Sequence, residues 1–160
     1  MTRFSSSTTA EAVVAAPRQQ IWDVLVDPDQ IAALTPFLRR VTAQGEHWRW
    51  EMSGLDVLGV KVAPAFTERM VFTDLERIEF HHDPPAGTTE RSGVEGWYDL
   101  SDAPGDAGTH LATSLTITLD LPLPKLSSPA VTAAMKSVMG TMGDRFSANL
   151  LRELGIEQAG

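Results

Sequence analysis

The chain has no cysteine among its 160 residues, so it carries no disulfide, no thiol nucleophile and no cysteine metal site. It is also short of basic side chains: 13 Lys and Arg stand against 21 Asp and Glu, a formal net charge of −8. Such a chain is repelled by a nucleic-acid backbone or an anionic membrane surface, and its one tight basic cluster is the pair Arg39-Arg40. No apolar run approaches the roughly 18 residues of a membrane span, so integral membrane association is not expected. The first nine residues lack the apolar stretch of a secretory signal. Together with the missing cysteines, this leads to the expectation of a cytoplasmic protein. HExxH, CxxC, GxSxG, Walker A and GxGxxG spacings are all absent. Neither a metal nor a cofactor is therefore expected, and hydrolase, nucleoside-triphosphate and dinucleotide readings have no support. His81-His82 does not change this, because neighbouring strand residues point to opposite faces and cannot easily share an ion.

What is present is ordinary for a globular fold, 42% apolar and 21% charged residues. With no internal repeat and no low-complexity linker, one domain over 1–160 is expected. Residues 4–15 read as a first strand. Pro17 opens a short helix with Ile21, Trp22 and Leu25 on one side. Asp27-Pro28-Asp29-Gln30 then has the pattern of a capping box, with Asp27 as N-cap and Pro28 at N1, and Thr35-Pro36 ends this second short helix. Strands follow at 38–44, 47–52, 60–73, 77–82, 92–100 and 111–121. Trp48, Trp50 and Met52 alternate onto one face, and Pro64 marks a bulge or an edge. Short turns between consecutive strands imply an antiparallel sheet. Ser127-Ser128-Pro129 reads as a helix start and Gly155 as its stop. About 26 residues lie between, roughly 39 Å of helix. Val131, Met135, Val138, Met142 and Phe146 share a face, with Met139 and Leu150 at its edge. Methionine is unbranched and polarizable, so this is a soft stripe able to repack around a guest. Gly140 is placed on the far side of the helix and Gly143 near the stripe edge.

Val14-Ala15-Ala16-Pro17, Ile21-Trp22, Leu25, Asp27-Pro28 and Pro36 resemble the start of the START-related, Bet v 1-like superfamily (SRPBCC), which includes the polyketide cyclase/dehydrase and lipid-transfer group. Arg77-Ile78-Glu79-Phe80, Gly96-Trp97-Tyr98 and Gly108-Thr109 resemble the same group further along the chain. The resemblance implies an α+β helix-grip fold: a curved antiparallel sheet of about seven strands around a long C-terminal helix, with two short helices after strand 1. It also implies a cavity between sheet and helix. Members of the superfamily include ligand carriers, cyclases and subunits that assist other enzymes. No catalytic residue is carried over.

Strand register sharpens the candidate site. A three-residue turn at Asp74-Leu75-Glu76 pairs Phe72 with Ile78, Met70 with Phe80 and Glu68 with His82. The two apolar pairs fix the buried face, and the third pair follows on it. Glu68 and His82 are thus expected to touch and to point into the cavity, with Tyr98 joining the same face. These three are the catalytic candidates. The ligand-binding candidates are Trp50, Met70, Phe72, Phe80, His82, Tyr98, Leu115, Ile117, Met135, Met139, Met142 and Phe146. The four helix residues among them should face Phe72, Phe80, Leu115 and Ile117 across a void. The loops 54–59 and 83–90 should lie near its entrance. Asn149, on the same helix, should either hydrogen-bond a loop or close the pocket's end.

Three functions stay open. The favoured one is binding of an apolar small molecule, a lipid, polyketide or aromatic compound. The second is a cyclase or dehydratase with Glu68 and His82 as acid and base and Tyr98 as donor. The third is an interaction module, a homodimer or a protein partner's accessory, anchored by an outward Trp97.

Overall fold

The structure, a computed structural model, describes residues 1–156. The chain runs β1 (Thr2–Val14), α1 (Arg18–Leu25), α2 (Pro28–Leu34), β2 (Leu38–Gln44), β3 (His47–Met52), β4 (Leu55–Val57), β5 (Val60–Val62), β6 (Ala65–Thr73), β7 (Arg77–His82), β8 (Ser92–Asp102), β9 (Thr109–Leu121) and α3 (Ser128–Glu153). Seven strands form one antiparallel sheet in the order β1-β9-β8-β7-β6-β3-β2, and β4 and β5 pair as a separate hairpin. The two short helices bridge from one edge strand, β1, to the other, β2. α3 then returns along the concave side, which is the helix-grip arrangement.

Local sequence explains most of the boundaries. Asp27 accepts hydrogen bonds from the backbone N–H groups of Asp29 and Gln30 and so caps α2. The Gln30 amide donates to the Asp27 side chain instead of closing a full capping box. The 60–73 segment is two strands, because Pro64 has no N–H to give a ladder and the chain turns there. The residues expected to be a loop at 54–59 form the β4–β5 hairpin. Leu58 and Gly59 both take positive φ at its tip, 51° and 82°, the pattern of a type I′ turn. α3 does not start with a Ser N-cap: Ser127 makes no side-chain cap, and a 3-10 turn at Lys125–Ser127 leads into the helix. Its end is a Schellman motif. Gly155 takes φ 71°, its N–H reaches Arg152 O, and Ile156 N–H reaches Leu151 O.

The core is split. One cluster joins Ile21, Trp22, Leu25 and Ile31 of the short helices to Val41, Trp48, Met70 and Ile78 at one end of the sheet. The other joins Phe4, Leu119 and Leu121 to Val57 of the hairpin and to Val131 and Met135 of α3. A fold this size ordinarily builds one contiguous core. Here a hollow lies between the two.

On α3 the buried line is Val131, Met135, Met139 and Leu150, while Val138, Met142 and Phe146 are half-exposed. The stripe is thus rotated from the sequence reading, and Met139 is central to it. Gly140 is exposed in mid-helix, and a Cβ built on it would meet nothing within 4 Å. Gly140→Ala should therefore stabilise the fold by about 0.5–1 kcal/mol through helix propensity alone. Chemical denaturation checks this, and a destabilised variant would mean the position needs glycine for some other reason.

Candidate functional site

The hollow has a volume of about 590 Å³ and lies between α3 and the concave face of the sheet. Met135, Met139, Met142 and Phe146 border it on the helix side, and Trp50, Phe80, Tyr98, Leu115 and Ile117 on the sheet side. The hairpin adds Leu55 and Val57. Its exposed lining residues are concentrated on β1, at Thr8 to Val13, and on α3, at Gly140, Gly143, Asp144 and Ser147. The opening therefore lies between β1 and α3. This corrects the expected entrance at the loops: residues 54–59 close one end of the hollow, and the loop 83–90 borders a separate surface hollow near Arg49, Lys61 and Arg91.

Three of the sequence-named ligand residues do not line the cavity. Met70 is buried in the cluster under the short helices. Phe72, 41% exposed, lies beyond the cavity against Trp22 and Trp48, with ring centroids 6.2 and 5.9 Å away. Both are on the predicted face. The sheet is longer than the cavity, however, and at its far end Phe72 meets Trp22 of α1.

His82 is the third correction. The register is as the sequence indicates, with Glu68 opposite His82, Met70 opposite Phe80 and Phe72 opposite Ile78. Yet Glu68 and His82 do not bond each other. The β7–β8 ladder ends at the Phe80–Gly96 rung, and carboxylates take over beyond it. Val94 N–H donates to Glu68 Oε1 at 2.9 Å, and His82 N–H donates to Glu95 Oε1 at 3.1 Å. The imidazole lies against Gly93, where a Cβ would sit 2.5 Å from the ring, and its Nε2 is 2.9 Å from Glu90 Oε1.

Glu90 is the residue that sequence reasoning missed. Its carboxylate accepts from Thr67 N–H and from Thr67 Oγ1, both at 2.8 Å, and is flanked by Arg49 at 3.6 Å. It sits at the end of a Pro-, Gly- and Thr-rich loop, with no spacing that ties it to His82.

The catalytic dyad is thereby taken apart, and of the three candidates Glu68 and Tyr98 remain in the cavity wall. The Glu68 side chain is fully excluded from solvent, and Oε2 has no hydrogen-bond partner. Burial pushes its carboxyl up to about 9; Glu95 and Glu90 add to the rise, and the Val94 N–H opposes it. Trp50 stacks on Phe66, 6.4 Å between centroids and 13° between planes, and its Nε1–H is buried without an acceptor. Tyr98 meets Phe80 edge-on at 5.3 Å, and burial raises its phenol to about 12, so the hydroxyl stays protonated. On the outer face Trp97 is covered by the Arg77 guanidinium, 4.9 Å from the ring centroid, rather than presented bare. Asn149 hydrogen-bonds Leu34 O at 2.9 Å and ties α3 to α2.

A family described as "Polyketide cyclase / dehydrase and lipid transport" matches residues 5–155, and the chain belongs to it. No curated protein matches the chain. Among solved structures, a START superfamily protein from Mycobacterium smegmatis is 15% identical, with a TM-score of 0.62 over 92% of this chain and 97% of that one. The Zhui aromatase/cyclase from Streptomyces sp. R1128 is 16% identical, with a TM-score of 0.62 over 93% of each chain. The protein TTHA0849 from Thermus thermophilus is 18% identical, with a TM-score of 0.64 over 92% of this chain and 98% of that one. At such identities the likeness is one of fold. No helix among the described residues is long and apolar enough to cross a membrane.

Proposed function

We propose that the chain binds an apolar small molecule in the cavity between the sheet and α3. The observation that carries this reading is the split core: two packed clusters separated by a hollow of about 590 Å³ with methionines along its helix side. Cavities of about 300–1,000 Å³ with apolar walls and a few polar groups are the usual form of a small-molecule site. The family description, which names lipid transport, supports it. The alternative, a cyclase or dehydratase with Glu68 and His82 as a joint acid and base, loses support because His82 is engaged with Glu90.

Met139→Trp tests the reading. The indole should occupy the hollow and weaken uptake of the neutral fluorophore N-phenyl-1-naphthylamine about tenfold or more, with the fold retained. Were the region solid, the larger side chain would instead cost about 1–3 kcal/mol of stability. Loss of stability with unchanged probe binding rejects the cavity as the site.

A further inference from the structure

Glu68 is an acid with no base beside it. Among the described residues that line the cavity there is no Lys, Arg or His, whereas Glu11, Glu68 and Asp144 all border it. The charged groups around Glu68 from neighbouring elements are Glu90 and Glu95, on the loop and on β8, both acidic. His82 on β7 and Arg49 on β3 are both turned to Glu90. Nothing compensates a carboxylate at this point, and the group holds its proton through neutral pH. Oε1 already accepts the Val94 N–H, which leaves the proton on Oε2, an oxygen with no partner. Trp50 pairs with Phe66 in the β3–β6 ladder, and Glu68 lies two residues further along β6 on the same face. The indole Nε1–H of Trp50 is a second buried donor without an acceptor. A guest that satisfies both must offer an acceptor. A carboxylate guest would accept from both, but no Lys, Arg or His in the lining offsets its charge, and Glu11 and Asp144 border the same cavity; an ammonium guest would leave the indole N–H facing a cation.

We propose that the cavity takes an apolar molecule bearing an uncharged oxygen acceptor, a ketone, ester or amide carbonyl, received by the carboxylic acid of Glu68 and the indole N–H of Trp50. A lining with acids and no base thereby selects against fatty-acid carboxylates. This rests on the cavity being a ligand site, and the test separates the two.

The test is calorimetric titration of the full chain at pH 7 with four probes of one shape: 2-acetylnaphthalene, 2-ethylnaphthalene, 2-naphthoate and 1-(2-naphthyl)ethylamine. The ketone should bind about threefold to tenfold tighter than the hydrocarbon, the worth of one net hydrogen bond. Naphthoate should bind weakest. Glu68→Leu should cut the ketone's advantage to what the Trp50 N–H alone supplies, and Glu68→Gln, whose amide still donates, should keep it. At pH 10 the wild-type preference should fall away while that of the Gln variant persists. If the Leu variant does not fold, this contrast with Gln still decides, as does the C=O stretch of the bound ketone. That stretch should be lowered by hydrogen bonding in wild type at pH 7 and move back at pH 10. Equal binding of ketone and hydrocarbon, an unshifted stretch, or tightest binding by naphthoate or the amine overturns the acceptor assignment and leaves the cavity reading standing. Binding of none of the four overturns both.

Discussion

Glu68→Gln should remove a pH dependence of stability that the wild-type chain carries between about pH 4.5 and 9. The carboxyl titrates near 9 in the fold and near its ordinary value of 4.5 when unfolded. Across that window the unfolded chain has lost the proton and the folded chain keeps it, so the folded state binds more protons. Stability therefore falls as pH rises, by up to about 1.4 kcal/mol per pH unit. The contribution is fully present below pH 4.5 and is lost as pH climbs through 9. Gln is isosteric, can still accept from Val94 N–H, and does not titrate. Other acids also titrate at the lower end of the window, but they do so in both proteins and cancel in the difference. Urea unfolding of the pair from pH 5.5 to 9 should show the Gln variant gaining several kcal/mol on wild type by the upper end. Parallel stability curves would mean that Glu68 is hydrated or paired in the fold, and would remove the basis for treating it as a neutral acid.

That Glu68 lies on the concave face was legible from alternation alone. Phe72 with Ile78 and Met70 with Phe80 fix both face and register, because a slip of one residue would turn every apolar side chain outward. The capping residue Asp27, the stop at Gly155 and the strands 38–44 and 47–52 were legible for similar local reasons. What escaped depends on where elements end in space. Alternation places Phe72 and Met70 on the right face but does not say that they lie beyond the cavity, in the cluster built around Trp22. Beyond the break in the β7–β8 ladder after Gly96, two glutamates distant from His82 in sequence, Glu68 and Glu95, supply acceptors that the backbone no longer provides. Burial alone centres the α3 stripe on Met139, about one position from the sequence reading, because Val138, Met142 and Phe146 line the cavity and keep some exposure.

That ladder break makes Gly96 the position where one methyl group should do the most damage. Gly96 pairs with Phe80 on one side and Leu115 on the other, at the last rung before the carboxylates take over. A Cβ built there would sit 2.1 Å from the Ser114 carbonyl oxygen and 3.0 Å from Leu115 Cα, both backbone atoms of the neighbouring strand. Neither can swing aside as a side chain can, so β8 must move off β9. With it moves Val94, two residues away, whose N–H is the one hydrogen bond that Glu68 has. Gly96→Ala should therefore cost about 3 kcal/mol, at the upper end of overpacking. For a chain of this length that is a fall in Tm of roughly 6–12 °C. The same substitution at Gly140, where space is open, is expected to act with opposite sign, which rules out a general effect of replacing glycine. Backbone displacement also predicts that the amide of Val94 exchanges faster in Gly96→Ala than in wild type when compared at equal global stability. A variant within about 0.5 kcal/mol of wild type, the range of an ordinary surface change, would show that β8 and β9 can part at this rung without loss. The seam holding Glu68 in the cavity wall would then be softer than the Val94 hydrogen bond implies.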